Sequence, residues 1–493
     1  MPPDAEPTAV PPDRGPADRG PADRGPADVW PAAVLDLLAT DRVVFEDGDR
    51  HVTGHQMLAM IRRIAAGLRA AGVRAAGIDA VVLRLGVTAE AFAAIFASFA
   101  VGARVAGVRA DQLDQVLPSF GGEVIDDARL SSLAATPDPG TLVLSGRPDN
   151  MARVLYTSGS TGVPKGCAQT YASMTAAWAA HPSRWPPAVR ALARRLERYL
   201  VFGSLTSQVM LEYGVLTLAA GGVLVVARPP GFPGMIARHR ATASVITVGK
   251  LHQLVRDQRT DPADLGTLRA LLVSGSPLAP ARLAEALDVL GPVVFHGYGQ
   301  TETGMIAMAT PEEMLADPAT LATVGRPPVE VDIRDGELFV RTPAQASSYW
   351  RDPSESAEVF VDGWIRTRDL ASLDPGGYLH LLGRARDVII VHAELVYAGP
   401  IERALAQSPD VAEAYVTGRP DDLTGEAVHA FVVPAAGRSP DPEVLRKLVA
   451  TALPPAAIPA TITMIDRVPL SPSGKPDKSA LQPVQQNRAP GPS

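Results

Sequence analysis

From residue 30 onward, short runs of β-branched and aliphatic residues alternate with longer amphipathic stretches. Residues 54–72 repeat apolar side chains at the three- and four-residue intervals of a helix face. The shorter apolar runs predict buried strands at residues 80–85, 153–157, 222–227, 244–248 and 270–275. Strands that alternate with helices predict an α/β fold, here a large N-terminal domain of stacked mixed sheets with covering helices.

The pattern changes twice in the C-terminal part of the chain. Between about residues 325 and 385, short alternating segments separated by Asp, Pro and Gly predict a β-rich subdomain. After residue 386, apolar runs at 388–391 and 427–433 alternate with helical stretches at 400–407 and 441–453, which predicts a small α+β C-terminal domain. The expected organisation is a disordered leader at 1–29, the large domain at 30–385, the small domain at 386–485 and a tail at 486–493.

Composition and charge exclude several classes of protein. Residues 13–28 repeat the pentapeptide DRGPA, which has no apolar face to bury and predicts disorder. The net charge of -7 argues against nucleic acid as a partner, because such binding depends on neutralising phosphates. The single cysteine, Cys167, excludes an internal disulfide framework and indicates a reducing, cytoplasmic location. Apolar runs at 91–103 and 213–227 are too short to cross a bilayer, so no membrane insertion is expected.

The stretch TSGSTGVPKG, residues 157–166, has the composition of a phosphate-binding loop. Its glycines allow successive backbone N–H groups to point at one anion, and Lys165 adds a positive charge. A Walker loop is excluded because Lys165 is followed by Gly166 and not by Ser or Thr. The alternative is a Ser- and Gly-rich surface loop, against which the preceding strand at 153–157 argues.

With four further segments, this loop resembles the motifs of the adenylate-forming superfamily, which includes acyl-CoA and aryl-CoA ligases, luciferases and peptide-synthetase adenylation domains. The segments are GYGQTETG at 297–304, DGWIRTRD at 362–369, GRARDVII at 383–390 and PLSPSGKPDK at 469–478. They follow in the order of that family, and the resemblance covers roughly residues 30–485. It implies a two-domain enzyme whose small domain is mobile, with ATP and Mg²⁺ used to convert a carboxylic acid into an acyl adenylate.

The resemblance also implies a set of nucleotide-binding residues. Tyr298 would stack on adenine, Asp369 would hold the ribose hydroxyls, and Arg384 would contact the ribose or a phosphate. The residues that would hold the β- and γ-phosphates are Thr157, Ser158, Gly159, Ser160, Thr161, Gly162 and Lys165. Those that would line the adenine pocket are Ser274, Gly275, Ser276, Gly297 and Gly299.

Three residues would act directly in the chemistry by the same resemblance. Thr301 would contact the α-phosphate and Glu302 would ligate magnesium, a hard cation that prefers oxygen ligands. Lys475 would lie between the substrate carboxylate and the α-phosphate, where a cation lowers the repulsion between two anions. Arg386 occupies the position of the hinge about which the small domain rotates between two half-reactions.

The acid itself should bind among residues 202–214 and their neighbours. Polar and apolar residues are mixed there, which favours an aromatic acid with polar substituents, or a compact cyclic acid, over a long alkyl chain. The expected pocket residues are Phe202, Ser207, Gln208, Met210, Tyr213, Gly214, Val248, Gly249 and Met305.

Two departures from the family's pattern bear on the chemistry. Arg368 stands in the ribose motif where Thr-Gly-Asp is usual, and would either pair with a phosphate or point to solvent. In the loop after the hinge, His392 and Ala393 replace two glycines, which should alter or close the narrow channel for the pantetheine arm of CoA. CoA is the acceptor that the resemblance favours most. The alternative acceptors are an amine, giving an amide, and a carrier-protein thiol. The alternative functions are those of a catalytically silent relative and of a luciferase-like oxygenase.

Several other residues invite a functional interpretation that the sequence does not favour. Apolar residues at 189, 192, 196 and 199 predict a helix over 186–200, whose arginines either form a solvated face or receive CoA phosphates or an acidic carrier protein. Ser207 stands where many acyl-CoA ligases carry a histidine. Cys167 and His296 are expected to be packing residues and not nucleophile or base.

Overall fold

The computed structural model describes residues 29–73, 79–157, 165–385, 387–392, 394–470 and 476–481. Most of the predicted leader, the centre of the phosphate loop and the tail lie outside these ranges, as do Arg386, Ala393 and Lys475. Val29, which the sequence pattern assigned to the leader, is instead buried at 2% exposure in the main core.

The secondary structure alternates helices and strands through most of the described chain. The helices are α1 Ala32–Leu37, α2 Gly54–Ala70, α3 Ala89–Ala100, α4 Leu113–Phe120, α5 Asp127–Ala134, α6 Tyr171–Ala176, α7 Pro187–Ala193, α8 Gln208–Ala219, α9 Gly234–His239, α10 Val248–Thr260, α11 Pro280–Leu290, α12 Pro311–Ala316, α13 Pro353–Val359, α14 Ala398–Leu405 and α15 Pro442–Ala452. The strands are β1 Val43–Asp47, β2 Arg50–Thr53, β3 Ala80–Leu83, β4 Arg104–Gly107, β5 Glu123–Ile125, β6 Met151–Thr157, β7 Lys165–Thr170, β8 Arg198–Val201, β9 Val223–Val226, β10 Ala243–Thr247, β11 Ala270–Ser274, β12 Val294–Gln300, β13 Gly304–Ala309, β14 Glu330–Arg334, β15 Glu337–Arg341, β16 Ser348–Tyr349, β17 Phe360–Val361, β18 Trp364–Leu373, β19 Leu379–Arg384, β20 Val388–Val391, β21 Glu394–Tyr397, β22 Val411–Asp421, β23 Gly425–Pro434 and β24 Thr461–Met464.

Two mixed sheets form the large domain, as the sequence predicted. One has six strands in the order β16-β7-β6-β4-β3-β5, and the other has eight in the order β13-β12-β11-β10-β8-β9-β1-β2. Their central strands run parallel, while hairpins such as β6–β7 and β12–β13 add antiparallel edges. The five predicted strands and the helix over 54–70 are confirmed.

Helix α3 packs on strands of both large sheets. Nearly all of its residues are buried, because it packs on β4 of one sheet and on β1 of the other. Phe92 lies 5.8 Å from Phe45 of β1, between ring centroids. A helix that is apolar on every side must be covered on every side, which explains the run at 91–103 that could be mistaken for a membrane segment. In the described ranges no helix is long and apolar enough to cross a bilayer.

The predicted helix over 186–200 is wrong in its second half. Helix α7 ends at Ala193, and Tyr199 is buried in strand β8. Two arginines of residues 186–200 form ion pairs within the protein: Arg198 pairs with Glu46 at 2.6 Å, and Arg195 pairs with Glu312. The segment therefore does not present a continuous basic helix face.

The C-terminal part contains two five-stranded sheets. In the β-rich subdomain the order is β14-β15-β18-β17, and β19 also pairs with β18. In the small domain the order is β21-β20-β23-β22, and β24 pairs with β23. The sequence missed β22, which contains Gly418 and Pro420 and therefore looked like a turn. Proline is tolerated there because β22 lies at the sheet edge.

Candidate active site

A tight hairpin between β12 and β13 carries Thr301 and Glu302. A Cβ atom on Gly299 would lie 2.4 Å from the Gly304 carbonyl oxygen, so the two strands approach this closely only with glycine at that position. Gly304 has φ of +73°, which also favours glycine. The hairpin therefore fixes the two candidate catalytic residues in a turn at the end of the eight-stranded sheet.

Asp369 of β18 is the centre of a polar cluster. Its Oδ2 atom accepts a hydrogen bond from the Tyr298 hydroxyl at 2.5 Å and another from Gln300 Nε2 at 2.7 Å. Arg384 Nε lies 3.2 Å from Oδ1, because Arg384 is paired with Asp369 across β18 and β19. Asp369 is 6% exposed, so the charge is held almost entirely by these partners. Three residues predicted to bind nucleotide thus meet at one carboxylate.

Tyr298 is oriented by this cluster. Burial, and secondly the charge of Asp369, raise the pKa of its hydroxyl well above the usual value, so it remains a donor at neutral pH. A Cβ on the neighbouring Gly297 would lie 2.9 Å from the Leu272 side chain, which shows how closely β11 and β12 pack here. The ends of these two strands bring together the predicted adenine-pocket residues Ser274, Gly275, Ser276, Gly297 and Gly299.

Glu302 is held by Tyr349, a residue that the sequence analysis did not select. The Tyr349 hydroxyl donates to Glu302 Oε1 at 2.6 Å. Burial, followed by the Glu302 charge, raises the pKa of this hydroxyl as well, which keeps the proton on the tyrosine. Lys165 Nζ lies 5.8 Å from the centroid of the Tyr349 ring. One tyrosine therefore lies between the lysine of the phosphate loop and the carboxylate predicted to bind magnesium.

Arg368 neither points to solvent nor is left for a phosphate in this structure. It donates at 2.6 Å to Glu355 and at 2.6 Å to Glu358, and Glu355 also pairs with Lys165 at 2.8 Å. Burial raises the pKa of the Glu355 carboxyl, but Lys165 and Arg368 together bring it below the ordinary value. Arg368 adopts φ of +58°, a conformation that glycine prefers, which explains why glycine is usual at this place in the motif.

Part of the predicted site lies outside the described residues. This applies to Ser158, Gly159, Ser160, Thr161 and Gly162 of the phosphate loop, and to the side chain of Thr157. The residues that flank this loop are fixed, since Thr157 and Lys165 are paired across β6 and β7.

The segment that contains Lys475 is likewise anchored on both sides. Leu470 and Pro476, the described residues on either side of it, form a β-bridge. Lys478 Nζ then pairs with Asp387 and with Glu402, both at 2.8 Å. Because Asp387 follows the predicted hinge position directly, this ion pair joins the lysine-bearing segment to the start of the small domain.

The expected acyl-pocket residues separate into groups. Gln208 and Met305 border a cavity of about 60 Å³ beside the β12–β13 turn. Ser207 caps helix α8 by accepting a hydrogen bond from the Met210 backbone N–H at 3.2 Å. The others do not border this cavity: Phe202 packs on Phe232, Met210 and Tyr213 are buried in the main core, Gly214 faces Leu224, and Val248 and Gly249 begin α10.

His392 occupies the turn of the β20–β21 hairpin, where Val391 pairs with Glu394. Its φ is +50°, which glycine would adopt without strain. His392 therefore has a backbone conformation that is typical of glycine while carrying an imidazole. His296 and Cys167 are structural, as expected: burial lowers the pKa of His296 to about 4 and raises the pKa of the Cys167 thiol.

Sequence reasoning missed Gln300, Tyr349 and Glu355 among the residues of this site. Gln300 stood inside a quoted motif but had no assigned role. Tyr349 and Glu355 lie on either side of the start of α13, where Asp352 caps the helix by accepting from the Glu355 backbone N–H at 3.0 Å. The Asp-Pro pair at 352–353 was a signal for this helix start, and would have placed Glu355 in its first turn.

The residues present fit magnesium bound together with ATP. Magnesium is usually held by one or two protein carboxylates, with phosphate and water oxygens completing its octahedron. Within the described ranges no group of three or more His, Cys, Asp or Glu could hold a metal unaided. Glu302 supplies one carboxylate, and Tyr349 occupies its Oε1 atom, which leaves Oε2 for a cation.

The chain belongs to the adenylate-forming superfamily. Residues 123–350 match the family model for the AMP-binding enzyme, and residues 400–475 match that for the AMP-binding enzyme C-terminal domain. The chain is therefore an enzyme of an AMP-forming ligase family, with a large N-terminal and a small C-terminal domain.

Individual relatives differ in the group that receives the acyl chain. A fatty acid–[acyl-carrier-protein] ligase of Streptomyces coeruleorubidus is 32% identical over 375 residues, covering 72% of this chain and 70% of that protein. The structure of an amide bond synthetase from Marinactinospora thermotolerans is 32% identical, with a TM-score of 0.79, covering 91% of this chain and 97% of that one. An o-succinylbenzoate CoA synthetase from Bacillus subtilis, solved with ATP and magnesium, is 26% identical, with a TM-score of 0.73, covering 90% and 97%.

Proposed function

We propose that this enzyme activates a compact aromatic or cyclic carboxylic acid as its acyl adenylate and transfers the acyl group to an amine, which gives an amide. The observation that supports adenylation best is the cluster at Asp369, which lies next to the turn that carries Thr301 and Glu302. The adenosine would bind at this cluster, with Tyr298 against the base and Asp369 at the ribose hydroxyls. A carboxylate has about four acceptor positions, so Asp369 can accept a ribose hydroxyl in addition to its present partners.

In the first half-reaction, a carboxylate oxygen of the acid attacks the α-phosphorus of ATP. The new bond joins that oxygen to phosphorus, the bond to the β-phosphate bridge oxygen breaks, and pyrophosphate leaves with the electron pair. This step depends on positioning and on stabilising negative charge. Thr301 would contact the α-phosphate, Lys475 would separate the two reacting anions, and Lys165 would exchange Glu355 for a leaving phosphate. Magnesium, when bound at Glu302, would neutralise phosphate charge.

In the second half-reaction, an amine nitrogen attacks the carbonyl carbon of the adenylate. The nitrogen–carbon bond forms, the bond from carbon to the phosphate oxygen breaks, and AMP leaves while the nitrogen loses a proton. Two observations favour an amine over CoA. The loop that would form the pantetheine channel carries His392 in a glycine-like conformation, and the amide bond synthetase relative is 32% identical with a TM-score of 0.79, against 26% and 0.73 for the CoA synthetase. The CoA thioester is the second candidate, since a CoA synthetase is among the matched structures.

Product analysis tests this proposal. The enzyme, Mg²⁺, ATP and an adenylated acid are incubated with CoA or with a panel of primary and cyclic amines, and the products are identified by mass spectrometry. We expect amides to form at least tenfold faster than the thioester. Thioester formation at the faster rate would overturn the amine assignment and leave adenylation intact.

A variant separates the two half-reactions. Lys475→Ala should lose adenylate formation from acid and ATP but keep transfer from a chemically supplied acyl adenylate. Lys447→Ala, an exposed lysine of the same domain, is the matched control and should keep both. Equal loss of both steps in Lys475→Ala would contradict the role given to Lys475.

A further inference from the structure

The cavity of about 60 Å³ lies directly behind the turn that carries Thr301 and Glu302. Thr303, Gly304 and Met305 form one wall, and helix α8 forms the facing wall. The two walls are close, since a Cβ on Gly304 would lie 3.5 Å from Gln208 Nε2. The cavity is partly open and too small for a whole aromatic ring, so it is placed to receive only the end of an acid that is remote from the carboxylate being activated.

Helix α8 presents one face to this cavity. Gln208, Leu211, Glu212 and Val215 follow each other at intervals of three and four residues, and all four border the cavity. Trp178 adds an aromatic wall. A carboxylate thus borders a cavity whose lining combines apolar residues with one arginine and several neutral polar side chains, which are Arg153, Gln169, Gln208, Thr303 and Thr342.

Arg153, which borders the same cavity as Glu212, donates its hydrogen bonds to another residue. Arg153 donates through Nε at 3.1 Å and through a terminal nitrogen at 2.5 Å to Gln169 Oε1, because Arg153 and Gln169 are paired across β6 and β7. Gln169 is fixed in turn by the Ala344 carbonyl at 3.1 Å.

Glu212 itself is left without a direct partner. Within the described residues no ion pair within 4 Å joins Arg153 to Glu212, and no hydrogen bond reaches the Glu212 carboxyl. Burial raises the pKa of this carboxyl to about 7, with Arg153 acting in the opposite direction. A partly buried acceptor that borders a cavity and has no donor among the described residues is a position that a donor group of a bound ligand can fill.

We propose that Glu212 is a specificity-determining residue that accepts a hydrogen bond from an N–H or O–H group on the distal part of the substrate acid. This inference rests on the proposed function and narrows its substrate class to acids that carry such a donor, for example a ring N–H or an aromatic amine. An isostere without the donor would leave the carboxylate unpaired in the complex. Sites built to hydrogen-bond a substrate group reject such analogues strongly.

Matched pairs of acids test the proposal in acid-dependent ATP/pyrophosphate exchange. Indole-5-carboxylate is compared with benzofuran-5-carboxylate, and 4-aminobenzoate with 4-methylbenzoate, since the donor lies at the end of each acid remote from the carboxylate and each pair differs little in shape. We expect the enzyme to favour the donor acid of a pair by at least tenfold in kcat/KM. Glu212→Leu should abolish or reverse this preference, and Glu197→Gln, an exposed glutamate outside the cavity, should keep it. The same preference in Glu212→Leu and the parent enzyme would overturn the proposal.

A binding measurement decides the proposal independently of catalysis. Indole and benzofuran are titrated by ligand-detected NMR without ATP or acid, into the parent enzyme, Glu212→Leu and Glu212→Gln. Indole should bind the parent at least fivefold more tightly than benzofuran, and Glu212→Leu should lose the difference. Equal affinities for the parent, or an unchanged preference in Glu212→Leu, would overturn the role of Glu212. A retained preference without exchange from any acid would contradict the proposed function and support this inference.

Discussion

The proposed nucleotide side and the proposed acyl side of this site each contain a carboxylate, Asp369 and Glu212. The two carboxylates differ in the hydrogen-bond donors that the protein offers them. Asp369 accepts from Tyr298 and Gln300 and faces Arg384, so the protein supplies its partners before any ligand arrives. Glu212 faces a cavity, and no hydrogen bond to the described residues reaches it. In the proposed function, the first arrangement is the one that would hold the nucleotide. The second leaves an acceptor open, where relatives with different acids can differ.

The largest effect should come from breaking the satisfied carboxylate. Asp369→Asn removes the charge that Arg384 faces and places an amide N–H₂ against the donors of Tyr298 or Gln300. We expect kcat/KM for ATP in the exchange assay to fall about 100-fold, equivalent to roughly 2.7 kcal/mol. A loss below about fivefold would show that this cluster does not bind the nucleotide.

Gln300→Ala provides a graded version of the same test. It removes one donor to Asp369 while the tyrosine and the arginine remain. Because Tyr298 and Arg384 still hold the carboxylate, losing one of its three partners should cost about 1 kcal/mol, so kcat/KM for ATP should fall about fivefold. A loss as large as that of Asp369→Asn would mean that Gln300 itself contacts the nucleotide.

Glu212→Gln should increase the free energy of unfolding, whereas the two preceding variants should lower kcat/KM. Because the pKa of Glu212 is raised from 4.5 to about 7, its ionised form is disfavoured in the folded protein. Below pH 4.5 Glu212 is protonated in both the folded and the unfolded protein and does not lower the free energy of unfolding. Above pH 7 it is ionised in both, and the free energy of unfolding is lowered by the full cost of holding the charge in the folded protein. The variant should therefore gain stability as the pH rises.

The expected gain in the free energy of unfolding is under about 1 kcal/mol at pH 5 and about 2–3 kcal/mol at pH 8.5. Urea denaturation followed by tryptophan fluorescence at both pH values measures it. Glu197→Gln, on the surface, should show no such trend. A gain that does not change with pH, or a loss at pH 8.5, would show that Glu212 is satisfied in the free enzyme.

The smallest effect concerns the backbone next to Asp369. Arg368→Ala and Arg368→Gly both remove the pairs with Glu355 and Glu358, but only alanine keeps a Cβ at φ of +58°. Arg368→Gly should therefore be more stable than Arg368→Ala by about 1 kcal/mol. At Arg366, two residues earlier in the same strand, the order should reverse, because glycine is unfavourable in ordinary strand conformation. Alanine being the more stable at Arg368 would exclude backbone strain there.

The residues of the Asp369 cluster could be selected from the sequence because they lie within short contiguous motifs, and their nucleotide-binding role stays a prediction. Tyr298 and Asp369 were identified in this way, and the register of β18 and β19 places Arg384 beside them. Glu355 could not be identified in the same way, since its role depends on the start of α13 and on a glycine-like conformation at Arg368. These depend on tertiary structure, which a single sequence does not display.

The acyl side was harder to predict for a related reason. Residues 202–214 were predicted to hold the acid, and helix α8 begins within them, yet the sequence did not show which face of the helix meets the cavity. Arg153, Gln169 and Glu212 come from three separate elements, and only the fold brings them to one cavity. The small domain's strand β22 was missed because glycine and proline within it resemble a turn.

The central claim is that this chain forms an acyl adenylate from a carboxylic acid and ATP. The most direct measurement is incorporation of labelled pyrophosphate into ATP, with Mg²⁺ present and neither CoA nor amine added, across aromatic and compact cyclic acids that carry an N–H or O–H donor. We expect exchange that requires an acid and is greatest with donor-bearing acids. ATP binding without exchange from any acid in such a panel would contradict the claim.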